Sequence, residues 1–465
     1  MWAKAAAAYD RGDCASTMKV LEPRLKVPLA TKIPEKILAM GYEMAVGCAV
    51  RSGDGDGAYR YAVEDTALND ASDQIWRFRL LTELQKRQDI PAVATVEALT
   101  QGRTAVLNGT SMRWLVDLSQ GLKDRHQDDA RRRLLKALLE NGYTPDDPFE
   151  RVDLFRQQYA EILYAAGDKA GAAAQIQEID EPYLANRISF DARFRSMLPA
   201  SFDVRASVER RLDEARSLMR RHPDRLAPIV QAAIRLRQLG RPGEALAVLE
   251  TARPLVEREG AFTDASTQLN WWWDGIASSH AMLGQYDQAV AAMASGAGAQ
   301  EQGGINVSQL INLAGVQTKF GKPELALATL APFDVAKRPV SPFGEMALRS
   351  ARGCANILAG RKEAAAADLA YARAHEIDGR RALAEIQLCM ADLDGAAATI
   401  IRQLEDPDRR TATLVDLSDF DDPPVVLPAD PIEENLKKVK ARPDVQAAIA
   451  RAGGTRRIHL QNQEL

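Results

Sequence analysis

The feature that most constrains this 465-residue chain is a turn that keeps returning. It is written Leu239-Gly240-Arg241-Pro242, then Leu283-Gly284-Gln285-Tyr286, Phe320-Gly321-Lys322-Pro323 and Ala359-Gly360-Arg361-Lys362. Five residues after each glycine stands an alanine: Ala245, Ala289, Ala326 and Ala365. Gly167 and Ala172 repeat the figure upstream. Glycine accepts positive φ and so ends the first helix. An acidic residue in the first turn of the second helix, as at Glu244, Asp287, Glu324 and Glu363, faces the positive end of its dipole. The alanine lets two antiparallel helices approach closely. A helix-turn-helix figure returning every forty residues or so, roughly, is the signature of a helical solenoid.

These residues resemble the tetratricopeptide repeat family. That pattern sets Gly or Ala midway through the first helix, Gly at the turn and Ala early in the second. Ala277, Gly284 and Ala289 fit it, as do Ala314, Gly321 and Ala326, and Gly353, Gly360 and Ala365. The resemblance is firm from Leu226 to Ala374 and looser elsewhere. The spacing exceeds the family's usual length of about 34 residues, so helices are extended or linkers inserted. The resemblance implies an all-α fold, a right-handed α-solenoid of antiparallel helix pairs. Such a motif identifies an architecture and leaves function to be argued from a site.

A chain this long outgrows a single core unless the core grows by stacking. Aromatic content of 6% suits Ala/Leu-packed helices. The net charge of −4 gives no broad electrostatic reason to expect nucleic acid or an anionic membrane as partner. No stretch approaches the roughly 18 apolar residues of a spanning helix.

Four regions are expected. Residues 1–181 read as divergent repeats, with turns at Gly12-Asp13, at Asp54-Gly55-Asp56-Gly57 and at Gly167-Asp168. The Asp/Gly run lacks the ligand spacing and twelfth-position Glu of a calcium loop and is expected as a turn. Arg131-Arg132-Arg133 after Asp128-Asp129 reads as a solvated helix face. Residues 182–224 are irregular, contain Pro199, and read as a helical linker ending in a charged helix. Residues 225–404 hold the clear repeats. Residues 405–465 break the pattern with an acidic patch, a Pro423-Pro424 run and short helices. This segment is expected as a polar cap, as a filler of the groove or as a tether. The chain also enters a repeat at its second residue, from which we expect a leader removed ahead of it.

Catalytic signals are lacking. None of the five histidines has another three or four residues away, so no helical metal pair is written. There is no G-x-x-x-x-G-K-[ST] loop and no G-x-S-x-G elbow. No catalytic residue, metal ligand or cofactor is therefore expected. Of the four cysteines, Cys14 and Cys48 lie about one repeat apart on helices that should pack together, and Cys354 and Cys389 are similarly spaced. Free buried cysteine is the plain reading. A disulfide is the sharper one, at Cys14–Cys48 ahead of Cys354–Cys389, and implies an oxidising compartment, the periplasm or outside the cell, with the cytoplasm as the alternative.

Trp271-Trp272-Trp273-Asp274 remains. Three consecutive helical residues span about 200° and cannot share one buried face. In the register of the resembled family, Trp273 falls at the packing position, and Trp271, Asp274 and Ser278 line the concave surface. Arg237 and Gln238 line the preceding repeat by the same count, and Thr318 and Lys319 the following one. Tyr164, Gln157 and Glu161 take like positions upstream. An exposed Trp beside polar groups suits a peptide anchor; the alternative is that linkers such as Arg258 to Ala265 cover these tryptophans as core. The resulting expectation is a non-catalytic scaffold holding a partner protein or peptide in the groove. The alternative is a small-ligand receptor or enzyme whose pocket is closed by the C-terminal tail.

Overall fold

The computed structural model describes residues 2–25, 33–258, 260–298, 306–333, 340–426 and 428–462. Met1 and the last three residues lie outside them. The chain divides into two compact units, residues 1–179 and 180–465.

The first unit is a succession of helices: α1 (Trp2–Asp10), α2 (Cys14–Leu25), α3 (Glu35–Arg51), α4 (Gly55–Thr66), α5 (Asp73–Gln85), α6 (Asp89–Leu99), α7 (Thr104–Asn108), α8 (Met112–Asp124), α9 (Asp128–Glu140), α10 (Asp153–Ala165) and α11 (Lys169–Gln177). Neighbours pack as pairs, α1 on α2, α3 on α4, α5 on α6, α8 on α9 and α10 on α11.

The second unit opens with α12 (Pro182–Phe190) and α13 (Val204–Arg221), the latter on the stretch read as a charged helix. The repeats follow as α14 (Ala227–Gln238), α15 (Pro242–Glu250), α16 (Arg253–Val256), α17 (Ala265–Met282), α18 (Tyr286–Gly298), α19 (Val307–Lys319), α20 (Pro323–Leu330), α21 (Pro342–Leu358), α22 (Lys362–Ala374), α23 (Ala382–Cys389) and α24 (Leu393–Glu405). The chain then adds α25 (Pro407–Asp416), β1 (Asp419–Asp421), α26 (Pro431–Lys440), α27 (Pro443–Ala452) and β2 (Arg457–Gln461). The protein is an all-α helical-repeat structure whose described strands are this one short parallel pair.

The turn figure works as its chemistry requires. Gly167, Gly240, Gly284, Gly321 and Gly360 all take positive φ, between 71° and 85°. The next residue's N–H closes each helix, Arg241 onto the Leu236 carbonyl at 2.9 Å and Lys322 onto Gln317 at 2.8 Å. The alanines five residues on, Ala172, Ala245, Ala289, Ala326 and Ala365, are all fully buried. The same turn also occurs without glycine: Arg87, His126 and Ala391 hold φ of 51°, 55° and 56°. Gln88, Gln127 and Asp392 make the matching 2.9 Å closures onto Glu83, Leu122 and Gln387. The residues five on, Ala92, Arg131 and Ala396, are again buried.

That register corrects one expectation. Arg131 belongs to no solvated face: it occupies the buried packing position, and its Nε donates to Ser119 Oγ at 3.2 Å. Ser119 in turn donates to Gln158 Oε1 at 2.6 Å. Arg132 and Arg133 are exposed, and Arg133 pairs with Glu97. The Asp/Gly run is a turn. Asp54 caps α4 by accepting from Gly57 N at 2.8 Å, as Asp168 and Asp392 do from Gly171 and Gly395.

The segment after Glu405 is no tether. Leu414, Val439, Val445, Ile449, Ile458 and Leu460 share one core with helices α13 to α19. α25 packs on α12, α27 on α24, and β2 on α13 and α14. The last elements of the second unit therefore rest on its first.

Candidate functional site

The second unit contains a cavity of about 590 Å³. Helices α19, α21 and α23 supply Asn312, Gly315, Ser350, Ala351, Ala384 and Glu385 to its walls. α12 supplies Tyr183, Asn186 and Arg187, α14 supplies Gln238, and α26 supplies Pro431 to Glu433 and Leu436. The volume lies in the range of pockets that hold a ligand or a short segment of chain.

Repeat packing explains why these side chains converge. First helices of successive pairs lie side by side, α19 against α21 and α21 against α23. The α21–α23 seam is tied by a 2.7 Å hydrogen bond from Ser350 Oγ to Glu385 Oε2. One turn further along, Cys354 and Cys389 stand at disulfide distance, Cα–Cα 5.5 Å, and both border the cavity. α26 is held by Asn435, whose Nδ2 donates to the Leu388 carbonyl at 2.8 Å, and by Glu433, which meets Lys319 at 3.8 Å.

Three of the expected partner-binding residues line this cavity: Gln238, Thr318 and Lys319. Gln238 Oε1 accepts from Arg235 Nη1 at 3.1 Å, leaving its amide N–H groups to donate. Trp271, Asp274, Ser278 and Arg237 do not line it. Arg237 is buried, and its Nη1 donates to the Gly275 carbonyl at 3.2 Å, joining α14 to α17. Burial pushes the Arg237 pKa down, and Asp274 opposes that. Burial likewise pushes the Asp274 carboxyl up, offset by Arg237 and by a 3.0 Å hydrogen bond from Asn312 Nδ2. Arg237 and Asp274 thus hold the wall from behind, because Asn312 is itself a lining residue.

The tryptophan run divides as helical geometry demands, one position away from the expected register. Trp272, not Trp273, is the core residue: it is 0% exposed and its Nε1 donates to the Leu249 carbonyl at 2.9 Å. Trp273 lies half-buried against it, ring centroids 4.6 Å apart. Trp271 is 51% exposed. Tyr164, Gln157 and Glu161 belong to the first unit, all on α10, where Gln157 donates to Glu161 at 3.2 Å and the Lys169 ammonium stands 5.9 Å from the Tyr164 ring. Sequence reasoning missed Tyr183, Asn186 and Arg187. Their i, i+3, i+4 spacing after Glu181-Pro182 was the available signal, since Glu181 caps α12 by accepting from Leu184 N. Cys14 and Cys48 stand at disulfide distance, Cα–Cα 5.2 Å. Among the described residues no cluster of His, Cys, Asp and Glu could hold a metal, and no helix is long and apolar enough to cross a membrane.

Fold and site define a helical-repeat protein with a lined cavity in its second unit. No protein-family model and no curated protein matches the chain. Among solved structures it is similar to a chain of the APC/C hetero-tetramer Cut9-Hcn1, at 13% identity over 96% of this chain and 88% of that one, TM-score 0.32. It is also similar to a chain of Naa15/Naa10 bound to HypK-THB, at 14% identity over 90% and 70%, TM-score 0.23. The P58(IPK) TPR domain follows at 12% identity over 83% and 96%, TM-score 0.22. At these scores the helical-repeat assignment rests on the chain's own turns and helix pairs.

Proposed function

We propose that this protein is a non-catalytic scaffold that holds a short segment of a partner protein in the cavity of its second unit. The observation that carries the reading is the convergence of first helices from successive pairs, with α26, around about 590 Å³ of lined space. Gln238, Thr318 and Lys319 supply polar contacts to such a segment, and the exposed Trp271 on α17 supplies a separate anchor. Cysteine pairs at disulfide distance in both units support an oxidising compartment, the periplasm or the cell exterior.

Gly315 offers the test. It lines the cavity, and a Cβ built there meets nothing within 4 Å among the described residues. Gly315→Trp should fill the space without forcing the helices apart. Affinity capture from native extract, read by mass spectrometry, should return a protein with the wild type and lose it with Gly315→Trp, while circular dichroism stays unchanged. Retention of that protein by the folded variant would move the site elsewhere. Trp271→Ala in the same experiment separates the anchor from the cavity.

A further inference from the structure

We propose that the α12 face of the cavity is an anion subsite, taking a side-chain carboxylate from an acidic segment of the partner protein. This deepens the scaffold reading and rests on it. Tyr183, Asn186 and Arg187 share one face of α12, and all three line the cavity. None of these side chains has a hydrogen-bond or ion-pair partner among the described residues. The Arg187 guanidinium stands 5.6 Å from the Tyr183 ring, and its buried Nε has no acceptor among the described residues. On α19 the Thr318 hydroxyl is buried with no hydrogen-bond partner among the described residues. Lys319 meets Glu433 at 3.8 Å, the outer limit of an ion pair.

Of the four acids of the same wall, Glu433 meets Lys319 only at that distance, and the other three are engaged more closely. Glu385 accepts from Ser350 and pairs with Arg381 at 3.3 Å. Asp416 pairs with Arg380, and Asp430 caps α26 by accepting from Ile432 N at 2.9 Å. The wall therefore has donors to spare, a guanidinium foremost. A buried donor without an acceptor is costly, and a guanidinium offers a fixed fork that a carboxylate matches with two oxygens. A cationic or purely apolar segment would leave those donors unmet. The 55% exposure of Tyr183 puts this face within reach from solvent.

The test is selection from a display library of random dodecapeptides on the full-length protein, followed by anisotropy titration of the enriched peptides. Enriched peptides should carry Asp or Glu at a shared position. Replacing that residue with Asn or Gln should weaken binding about tenfold to a hundredfold, and Arg187→Gln should do the same while leaving the neutral peptide's affinity unchanged. Arg187→Lys should recover part of the loss, and circular dichroism should show each variant folded. Peptides enriched without an acidic position, or acidic peptides indifferent to Arg187→Gln, would overturn the subsite and leave the scaffold reading standing. Failure to enrich any peptide that Gly315→Trp excludes would overturn both.

Discussion

At the scale of single residues, the turn position decides most. Gly284 holds φ 71°, and Val425 lies 3.5 Å from where its Cβ would stand. Gly284→Val should cost about 1–3 kcal/mol, since a β-branched residue resists that backbone. Thermal melts indistinguishable from wild type would refute the assignment of the turn. Ala391 is the converse case, a non-glycine residue at φ 56°. Ala391→Gly should stabilise by about 0.5–1 kcal/mol, because relief of the left-handed strain outweighs the added freedom of the unfolded chain. Asp65 carries a different strain. It is fully buried, neither carboxyl oxygen has a hydrogen-bond partner among the described residues, and its pKa is pushed up to about 7 by burial and then by Glu43. In the unfolded chain it titrates at roughly 3.9. Between these values the native state holds a proton that the unfolded state has released. Stability contributed here is therefore full below about pH 4 and is lost as pH rises to about 7. Asp65→Asn should flatten that part of a stability-versus-pH curve measured by denaturant unfolding. An unchanged slope would show Asp65 to be charged and satisfied.

At the scale of elements, the same turn explains what could be read in advance and what could not. The pairs from α14 to α22 were legible because each turn carries glycine and each packing position alanine. At Arg87, His126 and Ala391 the helix pairs on either side could be read, but not which residue turns left-handed, because side chains tolerate left-handed backbone when the pair around them is well packed. Arg131 escaped for that reason: with no glycine in the turn at His126 to count from, its place in the register could not be fixed. The cavity was half legible. Gln238, Thr318 and Lys319 follow from helical register, whereas α12 and α26 reach the site through tertiary packing that periodicity does not encode. Trp272 taking the core in place of Trp273 has the same origin, since one residue of register turns a helix face by about 100°. Ties between elements are equally hidden. Asp264, just ahead of α17, accepts from Leu226 N at 2.7 Å, Ala227 N at 3.0 Å and Arg225 Nε at 3.1 Å. One carboxylate thus satisfies the start of α14 from the following pair. Asp264→Ala should cost about 2 kcal/mol or more, as the loss of a cap whose donors stay buried. Asp264→Asn should recover only part, having one acceptor oxygen in place of two. Ala and Asn variants both as stable as wild type in urea unfolding would show the contacts to be incidental.

At the scale of the whole molecule, the two compact units each contain one cysteine pair at disulfide distance, and the second unit alone contains the C-terminal segment. The sequence separations of 34 and 35 residues are single-repeat loops. Closing a loop of that length removes unfolded-state freedom worth roughly 3–4 kcal/mol. Cys14→Ser with Cys48→Ser should thus destabilise the first unit, and Cys354→Ser with Cys389→Ser the second, when unfolding is followed by hydrogen exchange that resolves the two. The C-terminal segment bears on the second unit more heavily than a polar cap would. A cap could be removed at the cost of one exposed face. Here Leu414, Val439, Val445, Ile449, Ile458 and Leu460 are each buried in a core shared with α13 to α19. Losing six such side chains forfeits on the order of 10 kcal/mol of burial, which equals the whole stability of an ordinary domain. A chain ending at Leu404 should therefore lose exchange protection throughout residues 180–404 while residues 33–179 keep theirs. Protection retained in α19, α21 and α23 of the shortened chain would mean that the repeats form the groove unaided. The segment would then be a cover over the cavity, and peptides selected on the full-length protein should bind the shortened one faster.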